Sequence, residues 1–348
     1  MTIVYFIVIL GIIVLVHELG HLISAKAFNV YCREFAIGFG PVIKKIKGKE
    51  TTYSIRALPL GGFVSMAGEV GVDIEDIDPS RTLKGIHPFK RIIIMLAGVF
   101  ANIMLAFAIF VVLFLLAGQI NVPPEPVVAG VIPNSAAEQA GIMENDRIVK
   151  ITFSDNHSIE PKDFYEIINV TQMVSDPMIF TIERGQQTFD FELTPTFSEE
   201  HNRFMLGMYL PPQQVQDIEW YEAFPIAMTT IVDSIAGVFL ALSFLIRGMG
   251  LQSLSGPLGI YEVTAQQAAA GFQSLVVLTA VLSLNIGVFN LLPLPILDGG
   301  RVIMTAFEWI SRKPIHPKVE QALISISMFL ILALLILVTF QDITKIFG

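Results

Sequence analysis

Two histidines and a glutamate lie within one helical turn in the first hydrophobic segment of the chain, in the run His17-Glu18-Leu19-Gly20-His21. On a helix, side chains four residues apart share a face, so both imidazoles can bind one zinc ion. Glu18 is then placed to remove a proton from a zinc-bound water. Ionisable side chains at membrane depth are costly and mark functional sites. The pattern therefore indicates hydrolysis of a peptide bond within a membrane.

A third ligand must come from elsewhere, because catalytic zinc usually has three protein ligands and one open position. The best candidate is Asp298, which follows an apolar segment broken by Pro293 and Pro295. Backbone groups freed at membrane depth are tolerated only where they are buried or line a wet cavity. The alternative is that Asp298 merely caps a turn or a helix. Asn290 is a candidate to bind the substrate carbonyl or oxyanion, or it bridges two helices.

The composition indicates a membrane protein. The 348 residues are 53% hydrophobic and only 15% charged, and the mean hydropathy is +0.65, which is typical of a polytopic membrane protein with a soluble insert. A net charge of −9 argues against a nucleic-acid partner. The single Cys32 excludes an intrachain disulfide and a cysteine zinc cluster. The first basic residue is Lys26, so the segment lacks the start of a cleaved signal peptide and we expect it to be retained.

Four stretches are long and apolar enough to span a bilayer: about residues 3–28, 92–117, 272–294 and 321–340. Basic residues are concentrated in 26–91 and 301–318, whereas 118–222 is rich in acids. Because positive loops stay inside, we expect the two basic loops to be cytoplasmic, and 118–222 and the N-terminus to be outside. In this orientation, Asp298 lies on the same side of the membrane as the histidines only if the fifth stretch, 224–246, does not cross the bilayer. We therefore interpret 224–246 as an interface-lying helix on the outer side.

Residues 122–212 have the pattern of a soluble, mixed α/β insert. The expected elements are a strand at 127–132, a short capped helix at 134–141, a strand at 147–153, an amphipathic helix at 161–174, and paired strands at 177–183 and 187–193.

Several motifs of the chain match those of a known protein family. The chain resembles the site-2 protease family of intramembrane zinc metalloproteases, and most closely its bacterial regulator-of-sigma-E group. The resemblance is carried, in the same order, by four motifs: His17 to His21, Gly38 to Pro41, Tyr53 to Val64 and Asn290 to Gly299. It covers nearly the whole length.

The resemblance implies that His17, His21 and Asp298 bind Zn²⁺ and that Glu18 is catalytic. It also implies that residues 36–66 form a β-rich element that dips into the membrane and holds an unwound substrate by strand addition. The alternative is that these residues form a plain cytoplasmic hairpin. We expect Gly62 and Phe63 of this element to contact substrate. Asn102 resembles a substrate-facing residue of the second helix, although an interhelical hydrogen bond explains it as well.

The insert resembles a single PDZ domain, with Asn145 where glycine is usual. The expected fold is thus a polytopic α-helical membrane protein of about four transmembrane helices, with a membrane-associated β-hairpin or sheet element and an inserted α/β PDZ domain. The predicted domains are an N-terminal membrane domain (1–121), the PDZ domain (122–212) and a C-terminal membrane domain (213–348).

The predicted function is regulated intramembrane proteolysis of single-span proteins, such as trimmed anti-sigma factors or remnant signal peptides. The predicted partners are these substrates, the lipid bilayer and a peptide ligand of the PDZ domain, with no nucleic acid. The predicted location is the bacterial inner membrane, with the PDZ domain extracytoplasmic and the active site near the cytoplasmic face. A non-catalytic PDZ scaffold and a metal transporter are the alternatives, and Glu18 argues against both.

Overall fold

The computed structural model describes residues 1–69, 72, 77–198, 203–249, 254 and 256–347. The chain forms two compact units. The first, called here the membrane unit, comprises Met1–Leu113, Phe224–Val238 and Ser255–Gly348. The second, called the insert unit, comprises Phe114–Ala223 and Phe239–Leu254.

The helices of the described residues include long apolar segments and shorter ones. In chain order they are α1 (Thr2–Ala27), α2 (Pro88–Ala117), α3 (Ala136–Ala140), α4 (Phe164–Met173), α5 (Ala223–Ile246), α6 (Pro257–Ala270), α7 (Phe272–Asn290), α8 (Asp298–Ser311) and α9 (Pro317–Phe347). A single 3₁₀ turn at Pro79–Arg81 precedes α2.

Five of these helices are long and apolar enough to cross a bilayer, namely α1, α2, α5, α7 and α9. The chain is therefore built as a membrane protein, as its composition predicts. Four of the five coincide with the four predicted spans. The fifth, α5, is the stretch that we interpret as interface-lying, and its length and composition also permit a crossing. Its placement stays a prediction.

The first two helices approach each other unusually closely. A Cβ atom added at Gly20 of α1 would lie only 2.3 Å from the carbonyl oxygen of Ala97 in α2. Only glycine allows this backbone contact, as in other tightly packed membrane helices. On another face of α1, Ile9 and Ile13 pack against Leu275 and Leu278 of α7. Helix α1 is therefore fixed between α2 and α7.

Two long bent strands, β1 (Cys32–Lys47) and β2 (Thr52–Met66), form the sheet of the membrane unit. Each pairs with the other twice: Ala36 lies opposite both Phe63 and Ser54, and Ile46 lies opposite Tyr53. The four resulting segments are ordered 42–47, 52–58, 32–39 and 62–66 across the sheet. The predicted element at 36–66 is thus an antiparallel sheet rather than a single hairpin.

The buried face of this sheet packs on the end of α1. Phe35 and Val64 lie in one apolar cluster with Leu22 and Ala25 of the helix. The lone Cys32 is buried in the same cluster, and burial raises the pKa of its thiol to about 11. The thiol is therefore a small core group rather than a reactive one.

The insert unit has an apolar core that includes Ile148, Phe180 and Ile182 of a four-stranded sheet and Phe164 of α4. Its strands are β3 (Gln119–Val122), β4 (Gly130–Val131), β5 (Arg147–Thr152), β6 (Ser158–Ile159), β7 (Met178–Arg184), β8 (Gln187–Leu193), β9 (Thr196–Ser198), β10 (Arg203–Met205), β11 (Met208–Tyr209) and β12 (Gln214–Asp217). The sheet order is β6-β5-β7-β8.

The strand expected at 127–132 is shorter than its pattern predicts. Only Gly130–Val131 is a strand, paired with β11, because Val127 bridges Arg147 and the amide of Val128 donates to the carbonyl oxygen of Asp146, so the segment changes its pairing partner. The other expected elements lie within a few residues of their predicted bounds. Residues 199–202 of the expected PDZ segment lie outside the described residues.

Candidate active site

The two histidines of α1 lie side by side, and the Nδ1 atom of each ring has a hydrogen-bonding partner in α2. His17 and His21 are 8% and 7% exposed, and their Nε2 atoms are 3.2 Å apart. Nδ1 of His21 donates to the carbonyl oxygen of Ile94 in α2 at 2.8 Å. That bond fixes the tautomer, because a neutral imidazole that donates from Nδ1 has a free lone pair on Nε2.

His17 has a similar support on its Nδ1 side. The side-chain amide of Asn102 lies 3.3 Å from Nδ1, and Asn102 is fully buried. Among the described residues, Oδ1 of this amide has no hydrogen-bond partner. With the amide oxygen facing His17, Nδ1 of the histidine donates to Oδ1 and leaves its own Nε2 free.

Asp298 reaches the histidines from the far end of the sequence. Helix α7 ends at Asn290, the chain turns through the two prolines, and α8 begins at Asp298 itself. Added Cβ atoms at Gly299 and Gly300 would each lie 2.1 Å from a carbonyl oxygen of this turn, those of Leu291 and Leu294. The two glycines are therefore required for the turn to fold back against α8.

The three donor atoms form a triangle of the size that zinc requires. Oδ2 of Asp298 lies 3.1 Å from Nε2 of His17 and 3.4 Å from Nε2 of His21. Zinc–ligand distances of about 2.0–2.1 Å in a tetrahedron separate donors by about 3.3 Å.

With both histidines donating from Nδ1, each of the three donor atoms presents a lone pair to the other two. Within the described part of the chain, Oδ2 of Asp298 is buried and accepts no hydrogen bond. Such an arrangement is repulsive unless a cation lies between the atoms. His17, His21 and Asp298 are the one group of three potential ligands that the described residues bring together, and the donor set fits zinc.

Gly98 of α2 is a residue of this site that the sequence does not single out. A Cβ atom added there would lie 2.4 Å from Nε2 of His21 and 2.7 Å from Nε2 of His17. The α2 backbone therefore covers the donor triangle at van der Waals distance. The available signal was a glycine within a membrane-spanning helix, where it lowers helix propensity unless a close contact requires it.

A cavity of about 460 Å³ opens beside the donor triangle. The residues predicted to do chemistry or bind substrate that line it are His17, Glu18, His21, Gly62, Phe63, Asn290 and Asp298. Asn102 does not line it and instead lies behind His17. The structure thus shows the interhelical hydrogen bond of Asn102 with His17. The predicted contact of Asn102 with substrate stays untested.

An ion pair that the sequence also does not predict lies in the cavity wall. Arg301, one turn after Asp298 in α8, donates to the carboxylate of Glu69. Both residues also line a second cavity of about 290 Å³, together with the ion pairs Lys84–Glu320 and Arg91–Glu308. A charged compartment is thus separated from the cavity beside the donor triangle by one ion pair and its apolar neighbours.

Comparison with known proteins identifies this arrangement. Residues 5–334 match the model of peptidase family M50. The chain belongs to that family. It is 34% identical over its whole length to a protein of Fusobacterium nucleatum named as a zinc metalloprotease, all of which is covered. It is 30% identical to the regulator of sigma-W protease RasP of Bacillus subtilis, with 99% of each chain covered. It is 29% identical to the zinc metalloprotease RasP of Geobacillus kaustophilus, with 99% of this chain and 98% of the relative covered.

Membership of family M50 confirms the predicted site-2 protease resemblance and the predicted enzyme class, a zinc metallopeptidase. It confirms zinc as the cofactor at the level of the family. The single PDZ domain and the individual roles of the site residues remain predictions.

Proposed function

We propose that this M50 peptidase hydrolyses peptide bonds within or near the transmembrane segments of single-span membrane proteins. His17, His21 and Asp298 hold the zinc ion, and Glu18 is the general base. One observation carries the proposal: three donor atoms from opposite ends of the chain converge within 3.1–3.4 Å beside Glu18, in a cavity among apolar helices.

Zinc, Glu18 and Asn290 have distinct roles in this cavity. Zinc held by His17, His21 and Asp298 would polarise the substrate carbonyl and lower the pKa of a water molecule, so that the water is readily deprotonated. Glu18 takes the proton from the attacking water and passes it to the leaving amine. Asn290, on the cavity wall, donates from its side-chain amide to the oxygen of the carbonyl under attack.

The sheet edge next to α1 holds the substrate. Segment 62–66 is the outer segment of the four on the side of α1, and an added Cβ at Gly62 would lie 3.2 Å from Glu18. A substrate helix hides its peptide bonds, so it must unwind before attack. An unwound segment that pairs with this edge by strand addition runs past Glu18, with Phe63 against its side chains.

The substrates are proteins with one transmembrane segment, including trimmed anti-sigma factors and remnant signal peptides. The support is that a relative matching 99% of this chain is named as the regulator of sigma-W protease. We further propose that residues 122–212 form an extracytoplasmic PDZ domain that binds peptide or excludes bulky substrates. The N-terminus is then outside the bacterial inner membrane, and the active site lies near the cytoplasmic face with α5 lying in the outer interface.

The decisive experiment compares wild type with Glu18→Gln, reconstituted with a model single-span substrate. Glutamine has nearly the same shape but accepts no proton at neutral pH. We expect cleavage to fall by at least about a hundredfold, while bound zinc stays at one per chain by elemental analysis. Equal cleavage by the variant would exclude Glu18 as the base.

Ligation is tested separately by measuring zinc content. Asp298→Ala and His17→Ala each remove one corner of the donor triangle, so we expect both to lose zinc. A full zinc content in either variant would remove that residue from the ligand set. Asn290→Ala, which changes the cavity wall alone, is the matched control and is expected to keep its zinc.

A further inference from the structure

A polar cavity of about 370 Å³ lies at the end of α1, on the face of the sheet that packs against that helix. Its charged residues are Lys26, Lys49, Glu50 and Arg81, and Asn29 and Tyr53 complete the polar wall. Three cations thus surround one carboxylate. The catalytic site and its charged neighbouring cavity share none of these residues.

Two of the three cations are available to an anion. Arg81 is engaged by both carboxylate oxygens of Glu50, at 2.9 and 3.0 Å. Lys26 donates to the hydroxyl of Tyr53 at 3.1 Å and lies over its ring. Among the described residues, neither Lys26 nor Lys49 forms an ion pair. The cavity therefore has an uncompensated positive charge.

The position of Lys26 sets the depth of this cavity. It lies in the last turn of α1, after an apolar helix that is long enough to cross a bilayer. Basic residues at the end of such a helix lie at the level of the lipid headgroups. The anions at that level are the phosphates of the lipids.

The adjoining sheet provides an independent indication of lipid. In the cross-strand pairing, Phe35 lies opposite Tyr53 and Tyr53 lies opposite Ile46, so these three side chains share one face. Phe35 is covered by α1, whereas the face continues beyond the helix and leaves Ile46 61% exposed and Ile55 50% exposed. We call these two isoleucines the apolar overhang.

The overhang is bordered by positive charge. Lys44, Lys45 and Lys47 are exposed on its outer strand, and residues 35–49 contain no acid. Exposed isoleucines among lysines are the composition of a surface that inserts between lipids of negative charge. The same leaflet would then supply both the hydrocarbon for the overhang and the phosphate for the cavity.

We propose that Lys26 and Lys49, in the cavity beside the Arg81–Glu50 pair, bind the phosphate of an anionic lipid headgroup whose acyl chains lie against the apolar overhang. The bound lipid anchors the sheet formed by β1 and β2 at a fixed depth in the bilayer. The inference does not rest on the proposed peptidase mechanism, because lipid binding is measured without substrate.

Native mass spectrometry of the full-length protein in detergent tests the site. Equal amounts of phosphatidylglycerol or phosphatidylcholine are added, and the retained lipids are counted. Since one lysine near an anionic surface contributes about fivefold in affinity, we expect Lys26→Gln with Lys49→Gln to weaken phosphatidylglycerol retention by about 25-fold. Glu50→Gln removes the competing carboxylate, so we expect it to strengthen retention.

The controls separate this site from general charge effects. Lys150→Gln with Lys313→Gln removes the same charge elsewhere and is expected to retain phosphatidylglycerol as wild type does. Equal retention of the two lipids by wild type, or equal losses in both double variants, would overturn the proposal. Displacement of phosphatidylglycerol by inorganic phosphate alone would also overturn it, because the ligand would then be free phosphate.

The overhang is tested by fluorescence quenching in vesicles that contain phosphatidylglycerol with brominated acyl chains. Ile46→Trp is made in a background in which Trp220 and Trp309 are phenylalanine. We expect strong quenching of the new tryptophan, because it lies among the acyl chains. Fluorescence that is unaffected by the brominated lipid would exclude insertion of the overhang.

Discussion

At the scale of single residues, the site depends on the partners of the two Nδ1 atoms, which lie on the side of each imidazole that faces away from the donor triangle. The carbonyl oxygen of Ile94 accepts from His21, and the amide of Asn102 faces Nδ1 of His17. Partners of this kind set the tautomer and the orientation of a metal-binding histidine. Asn102 is fully buried in α2 with its amide against His17, and we propose that it orients this histidine.

Replacement of Asn102 tests this positioning role. Asn102→Leu keeps the volume but removes the acceptor, and we expect zinc affinity to fall by about 10–100-fold. Asn102→Asp keeps an acceptor oxygen for Nδ1 of His17, so we expect it to retain most of that affinity. Competition with a chromogenic chelator measures both. Equal affinities for wild type and the leucine variant would show that His17 is oriented by other contacts.

At the scale of the elements, the close approach of α2 to the histidines is the main requirement. Gly98 brings its backbone against both Nε2 atoms, and Gly20 brings α1 against Ala97. A side chain at either position would move one helix away from the other. The donor triangle is thus defined by helix packing as much as by the ligands themselves.

A matched pair of glycine substitutions measures this requirement. Gly98→Ala places a methyl group 2.4 Å from Nε2 of His21, so we expect zinc affinity and peptidase activity to fall at least about tenfold. Gly11→Ala is the same change in α1, where no atom lies within 4 Å. There we expect unchanged activity and a free energy of unfolding higher by about 0.5–1 kcal/mol. Comparable zinc affinity and activity in the two variants would show that α2 moves away without cost.

Local patterns predict some of this architecture. Hydropathy predicts α1, α2, α7 and α9, and the spacing of His17 and His21 predicts their shared face. Long-range contacts are not visible in a local pattern. Nothing near Gly98 indicates the histidines that it covers, and nothing in Glu69 indicates its pairing with Arg301. The double pairing of β1 and β2 likewise depends on bends near Gly38 and Gly61, which have φ values of 88° and 92° and allow each strand to turn back on the other.

At the scale of the whole molecule, one carboxylate shows that burial of an ionisable residue does not always mean catalysis. Asp342 is 4% exposed in α9. Its carboxylate accepts from the amides of Gly256 and Gly259 at the start of α6, at 2.9 and 3.0 Å. It is a helix cap supplied by a distant segment. Asp298 differs because its Oδ2 has no such donor among the described residues.

The orientation of the chain is tested with single-cysteine variants in intact cells. The native Cys32 is buried, so engineered thiols react selectively with an impermeant reagent. We expect Lys150→Cys to be labelled from outside, and Lys313→Cys to be labelled only after the cells are opened. Gln266→Cys, in α6, is expected to be labelled from outside if α5 does not cross. Protection of Gln266→Cys in intact cells would mean that α5 spans the membrane.

The proposed ligands are supplied by the first helix and by a segment close to the other end of the sequence, with the insert unit encoded between them. During biosynthesis the histidines therefore enter the bilayer long before their carboxylate partner leaves the ribosome. A half-made chain cannot assemble the donor triangle. With the zinc ligands as proposed, peptidase activity can arise only once translation is nearly complete.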